Sequence, residues 1–137
     1  MKNDEDCNWS INMSRADYTR VRSLIIQTVL TTDMAKHFTE LGNVTTRMAD
    51  EDFSPSSSNN KDLFIKFMFH LSDISNPTKP WDLCRLWTDL LFVEFFAQGD
   101  LEIHHEFPVS QFFDRKTTNV AKSQIGFIDF VIKPSFT

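Results

Sequence analysis

The stretch His70-Leu-Ser-Asp-Ile-Ser-Asn-Pro-Thr-Lys-Pro-Trp81 constrains the fold more than any other part of the sequence, because it breaks two long apolar runs with polar residues and prolines. Pro77 and Pro80 lack the backbone donor that a helix interior needs, so one helix must stop ahead of them and the next must begin near Trp81. Before the break, Leu63-Phe64-Ile65-Lys66-Phe67-Met68-Phe69 is apolar almost all the way round, which predicts a buried helix. After it, Trp81 to Gln98 predicts a second helix closed by Gly99. Its apolar positions, Leu83, Leu86, Trp87 and Leu90 among them, leave only Asp82, Arg85 and Asp89 as a polar stripe, so this helix too is expected to be largely buried.

Elsewhere the same helical period recurs. Ser14-Arg-Ala-Asp17 resembles a capping box, and Val21, Leu24, Ile25, Thr28 and Val29 extend it into a helix from about Ala16 to Leu41, ended by Gly42-Asn43. The segment 48–60, centred on Ser54-Pro55-Ser56-Ser57-Ser58, has no periodicity and predicts a flexible loop. From Asp100 to Lys116, with Pro108 interrupting, short turns of helix and loop are expected. A last helix should run from about Thr118 to Ile132 and stop at Pro134. No alternating strand pattern and no internal repeat occurs, so residues 1–137 are expected to form one all-α domain, a compact multi-helix bundle. Trp9 and Ile11 are expected to pin the acidic, irregular segment 1–13 onto it.

Composition narrows the function. Fourteen phenylalanines point to an interior packed with large rings. A net charge of -5 argues against nucleic-acid binding through phosphates, which needs a basic face. No apolar run is long enough to span a bilayer, and Met1-Lys2-Asn3-Asp4-Glu5-Asp6 is too polar for a signal peptide, so a soluble cytoplasmic chain with no transmembrane segment is expected. Membrane attachment through regions outside it stays open. Cys7 and Cys84 form neither a disulfide framework nor a CxxC pair.

Spacing supplies a few candidates for chemistry. Asp73 follows His70 by three residues, so a continuing helix places both on one face. A carboxylate on a buried element needs a partner, and a cation, a helix N-terminus or a metal are all open to it; one Asp does not make a metal site. Asp33 and His37, four apart, read as a local side-chain pair, and His104 and His105 as surface residues, since neighbours on a helix do not share a face. Gln124 and Phe127 set an amide beside an aromatic face, which suits a purine edge and plane but equally suits core packing. The isolated glycines Gly42, Gly99 and Gly126 exclude a phosphate-cradling loop.

Five motifs in order carry a resemblance. Thr31-Thr32-Asp33-Met34-Ala35-Lys36-His37, His70 to Lys79, Arg85-Leu86-Trp87-Thr88, Glu94-Phe95-Phe96-Ala97-Gln98-Gly99-Asp100 and Ser123 to Phe130 together resemble the class I cyclic-nucleotide phosphodiesterases. The likeness covers nearly the whole chain, weakest at 48–60, and corresponds to roughly the C-terminal half of that family's all-helical catalytic domain. It implies hydrolysis of 3′,5′-cyclic nucleotides to 5′-monophosphates with two divalent metals, typically zinc and magnesium, with manganese a further candidate. By the same resemblance Asp73 is the carboxylate that contacts the metal pair, and Thr32 stands near metal-bound water. Gln124 reads the purine edge, Phe127 and Leu91 clamp the base, and Asn76, Trp87 and Thr88 line the pocket. Asn76 is compatible with adenine, which favours cAMP, while an amide that can face either way at Gln124 keeps cGMP open. Cys84 stands where many members carry an aromatic residue, so one wall of the pocket is expected to differ.

One departure weighs more than these matches. The family's His-Asn-x-x-His motif and later His-Asp pair supply the general acid and three of its four protein metal ligands, and neither motif is present here. The expectation is a base pocket with one metal ligand and no general acid, hydrolysing negligibly by itself. Apolar surface meant for a missing N-terminal half should make the chain self-associate or pair with that half. The alternative is a non-catalytic helical module that binds nucleotide or pairs with an intact phosphodiesterase.

Overall fold

The computed structural model describes residues 8–137, and the acidic stretch with Cys7 lies outside them. All regular structure among the described residues is helical: α1 (Arg15–Thr31), α2 (His37–Ala49), α3 (Ser58–Asp73), α4 (Trp81–His104), α5 (Val120–Phe127) and α6 (Lys133–Phe136), with 3-10 turns at Met34–Lys36 and Asn76–Thr78 and a π-turn at Ile128–Ile132. The all-α expectation therefore stands. The chain divides into two compact units, 1–72 and 73–137.

In the first unit, α1 starts as its sequence requires. The Ser14 hydroxyl accepts from the Asp17 N–H at 3.1 Å and donates to the Asp17 carboxylate at 2.7 Å, so one side chain and one backbone donor satisfy each other. The single helix expected over 16–41 is instead two. Thr32 donates its hydroxyl to the Val29 carbonyl at 2.7 Å, and the Asp33 carboxylate accepts from the Ala35 N–H at 3.0 Å. Adjacent short polar side chains thus offer the backbone a local alternative to the helical ladder, and the chain turns there. Gly42, expected to end the helix, lies inside α2 with open space around it.

The loop expected over 48–60 is shorter, 50–57, and it is tied down. Buried Asn60 donates to the Ser54 carbonyl at 2.7 Å and accepts from Arg47 Nε at 2.9 Å, while Arg47 Nη1 reaches Asp50 and Asp52 at 2.8 and 2.7 Å. Arg20 donates to the Ser58 hydroxyl at 2.8 Å and so ties α1 to the start of α3. Between α2 and α3, His37 and His70 are fully buried, with Nδ1 of His37 2.9 Å from Nε2 of His70. One imidazole must donate and the other accept, so the pair shares one proton. Val44, Phe67 and Leu71 are the buried apolar residues among the described part of this unit. Trp9 and Ile11 do not pin the N-terminal segment, since both are exposed.

The second unit is built on α4. The predicted break is found where the prolines require it: a 3-10 turn at Asn76–Thr78, then α4 from Trp81. α4 does not stop at Gly99 but runs on to His104, because Gly99 serves packing rather than termination. A Cβ at Gly99 would overlap the backbone carbonyl of Phe113. The Phe113 ring stacks on Phe95 at 4.2 Å between centroids, and Arg115 pairs with Asp100 while its guanidinium lies 5.5 Å from the Phe96 ring. Ser110 donates its N–H and hydroxyl to the Glu102 carboxylate, and those bonds hold that carboxyl below its ordinary range. The last helix likewise passes its expected stop. A π-turn precedes α6 and Pro134 falls in the first turn of α6, where a missing N–H is tolerated.

Burial departs furthest from expectation. In α3 only Phe67, His70, Leu71 and Asn60 are buried, whereas Ile65, Met68 and Phe69 are exposed. In α4 the buried residues are Thr88, Phe92 and Gly99. Two phenylalanines, Phe67 and Phe92, are fully in the core, and Phe38, Phe107 and Phe130 face outward. An all-round apolar helix requires cover, and within this chain α3 and α4 are covered on one side.

Candidate functional site

The break between α3 and α4 builds the principal site. Asp73 closes α3, the 3-10 turn presents Asn76, and Lys79 leads into α4. From α4, Trp87, Leu90, Leu91 and Glu94 face the same space, being separated by one or two helical turns. Together with Asp73, Asn76 and Lys79 they line an open cavity of about 420 Å³. The sequence reasoning therefore named four of its wall residues, Asp73, Asn76, Trp87 and Leu91. It did not single out Lys79, Leu90 and Glu94, although Leu90 and Glu94 follow Trp87 by three and seven residues and the helical period of α4 carried that information.

Asp73 differs from its expected setting. Its side chain is exposed, so no buried charge demands a partner there. The donor set does not hold a pair of metals by itself: among the described residues no group of three or more His, Cys, Asp or Glu is placed to share one ion.

Asn76 has the most constrained chemistry in the cavity. Its Nδ2 donates to the Cys84 carbonyl at 3.2 Å and to the Thr88 hydroxyl at 3.4 Å, 3.9 Å from the Cys84 sulfur. A carbonyl only accepts, so the NH2 group must face Cys84 and the amide cannot be reversed. The other end, Oδ1, is buried and has no hydrogen-bond partner among the described residues. Thr88 is buried behind Asn76 and orients it rather than lining the cavity. Cys84 is a half-buried free thiol whose small side chain leaves the amide within reach of its own backbone carbonyl.

The remaining predicted residues lie elsewhere. Phe127 lines a second cavity of about 860 Å³ with Phe112, Lys122, Ser123, Phe130 and other residues of the α5 region, and Leu91 is not among its walls. Gln124 is half-buried on α5 and lines neither cavity. Thr32 belongs to the first unit, where its hydroxyl is engaged by Val29. Of the other candidates, His104 and His105 are exposed, and Asp33 spends its carboxylate on Ala35.

Proteins of known family share both this sequence and this all-helical fold. The sequence matches the family described as 3′5′-cyclic nucleotide phosphodiesterase over residues 1–137. The human dual specificity calcium/calmodulin-dependent 3′,5′-cyclic nucleotide phosphodiesterase 1C is 41% identical over 137 residues, which is 100% of this chain and 19% of that protein. The bovine 1B protein of the same description is 38% identical over 137 residues, 25% of its length. Among solved structures, that of LmjPDEB1 in complex with IBMX superposes with a TM-score of 0.88 at 33% identity, covering 98% of this chain and 40% of that one. The chain belongs to the cyclic-nucleotide phosphodiesterase family. It spans about a fifth to a quarter of the length of these curated relatives. Among the described residues, no helix is long and apolar enough to cross a membrane.

Proposed function

We propose that this chain forms the nucleotide-holding side of a phosphodiesterase site. The cavity of Asp73, Asn76, Trp87 and Leu91 receives a purine 3′,5′-cyclic nucleotide. The family resemblance assigns Gln124 and Phe127 to the base as well; in this structure Phe127 lines the α5 cavity and Gln124 lines neither. The reaction is hydrolysis to the 5′-monophosphate. Asp73 contributes one ligand to the zinc and magnesium (or manganese) pair the family resemblance implies, and the same resemblance assigns Thr32 a role beside metal-bound water. Since the donors among the described residues do not complete that centre, the 137 residues alone should turn over cyclic nucleotide negligibly. Metal-dependent hydrolysis by the purified chain, abolished by Asp73→Ala, would overturn this.

The observation that carries the nucleotide reading is the orphaned Oδ1 of Asn76. A buried acceptor without a partner costs about 1–3 kcal/mol, a cost that a ligand donor removes. The amino group of adenine is such a donor; guanine carries a carbonyl oxygen at the equivalent position and would set acceptor against acceptor. The relatives are named for dual specificity, and this amide tilts the present pocket towards cAMP.

Competition against a fluorescent cyclic nucleotide tests it. Unlabelled cAMP should displace the probe about 5- to 150-fold better than cGMP, the span that about 1–3 kcal/mol supports, and Asn76→Leu should erase the difference. Equal displacement by the two nucleotides, or a preference that survives Asn76→Leu, refutes the role of Asn76. Failure of the wild-type chain to bind either nucleotide favours the competing reading, a non-catalytic helical module that pairs with an intact phosphodiesterase. The incomplete donor set is the observation that keeps that reading in play.

A further inference from the structure

The loop between α2 and α3 carries a motif that the nucleotide site does not use. Of the five prolines only Pro55 follows a hydroxyl-bearing residue, Ser54. Both residues are exposed, while the backbone around them is anchored. On one side Phe53 is half-buried and sets its ring edge-on to Phe64 of α3, 5.8 Å between centroids. On the other, the Ser54 carbonyl accepts from the Ser57 N–H at 3.1 Å and from the buried Asn60 amide at 2.7 Å. The chain thus makes a turn from Ser54 to Ser57 with Pro55 in second place, where its fixed φ suits the turn. Of the serines that follow, Ser57 is half-buried and the Ser58 hydroxyl is engaged by Arg20 at 2.8 Å.

Charge closes the same loop. Arg47 holds Asp50 and Asp52 at 2.8 and 2.7 Å and donates its Nε to Asn60 Oδ1 at 2.9 Å, so one amide links that guanidinium to the Ser54 carbonyl. Asp50, Glu51 and Asp52 set three carboxylates against this one cation, directly ahead of Ser54 in the chain. A phosphoryl group on Ser54 would add about -1.5 to -2 of charge and three strong acceptor oxygens. It would compete for Arg47 and be repelled by the carboxylates there, and Asp52, whose side chain is 80% exposed, would be the first to leave.

We propose that Ser54 is a phosphorylation site for a proline-directed protein kinase, and that its phosphate releases the 50–57 loop from Arg47. In the transfer, Ser54 Oγ attacks the γ-phosphorus of ATP. The new O–P bond forms as the bond from that phosphorus to the β,γ-bridging oxygen breaks, the hydroxyl proton passes to the kinase's base, and ADP leaves. Asn60 governs access, because the Ser54–Ser57 turn must open before the segment can be read as an extended peptide, and the Asn60 amide holds that turn shut. Every group involved lies within the first unit, so the proposal stands apart from the nucleotide reading.

Treatment of the 137-residue chain with a proline-directed kinase and ATP tests this, with the phosphate located by mass spectrometry. The expected product carries a single phosphate, on Ser54, absent from both Ser54→Ala and Pro55→Ala. Asn60→Ala should take up that phosphate at least about 5-fold faster, the low end for one lost buried hydrogen bond. In the phosphorylated wild type, amide hydrogen exchange across 50–57 should quicken about 3- to 10-fold, as a few exposed like-charge contacts allow, while the helical circular-dichroism signal holds. Arg47→Gln, which has no clamp to lose, should show no further quickening on phosphorylation. No incorporation, phosphate spread over Ser56–Ser58, incorporation that survives Pro55→Ala, or exchange unchanged by the phosphate overturns the proposal. The exchange comparison needs no variant, so it decides the matter even if Asn60→Ala misfolds.

Discussion

Gly99 and Gly42 carry the same substitution to opposite outcomes. Both lie inside helices, where alanine is favoured over glycine by about 0.8–1 kcal/mol. At Gly42 a Cβ meets nothing within 4 Å, so Gly42→Ala should stabilise by that amount. At Gly99 the new Cβ overlaps the Phe113 carbonyl, which is backbone and cannot swing aside as a side-chain tip would. The segment must lift, loosening the Phe113–Phe95 stack and the Arg115–Asp100 pair beside it. Overpacking of this kind costs about 1–3 kcal/mol, and a backbone obstruction belongs at the upper end. The propensity gain is common to both variants, so the difference between them isolates the clash. With each kcal/mol worth about 3–5 °C in a chain of this size, Gly99→Ala should melt about 5–15 °C below Gly42→Ala, by circular dichroism at matched concentration. If Gly99→Ala stabilises as much as Gly42→Ala, the close approach of α4 and Phe113 is absent and the account of the second unit fails.

Two further outcomes concern the first unit. Burial, and after it the neighbouring His70 ring, hold the pKa of His37 below 6.5, so the folded state keeps this base neutral where the unfolded chain would protonate it. Its contribution to stability is complete above about pH 6.5 and is lost as pH falls below that; urea midpoints measured from pH 7.5 to 5 should fall, and His37→Gln should flatten the dependence. An equal slope in both proteins refutes this. Asn60→Ala removes the buried amide that ties Ser54 and Arg47 together, which should cost about 1–3 kcal/mol and speed proteolysis within 50–57; an unchanged cleavage rate would show that the loop is held by other contacts.

Where the sequence was read correctly, the controlling physics was local. Pro77 and Pro80 act through their own missing donors, and the α3 end, the Asn76–Thr78 turn and the α4 start fall where those prolines require. Ser14 and Asp17 meet within one turn, and their cap is found as expected. The misreadings share a different cause. Gly99 reads as a helix stop because glycine's usual role is conformational, whereas here it makes room for a carbonyl fourteen residues further on. Thr32 and Asp33 read as interior positions because helical period survives on both sides of them, and only their side-chain bonds to Val29 and Ala35 disclose the turn.

The same distinction explains the site. The likeness of motifs singled out Asp73, Asn76, Trp87 and Leu91, and they share one cavity; it could not supply which end of the Asn76 amide is spoken for, since that depends on the Cys84 carbonyl one helix away. Nor can apolar period distinguish a helix that is covered from one that needs cover. Leu83, Leu86, Leu90 and Val93 carry the pattern of a buried face, and all four are exposed in the structure. Periodicity measures the surface a helix must hide, and the chain that hides it need not be the one that carries the pattern.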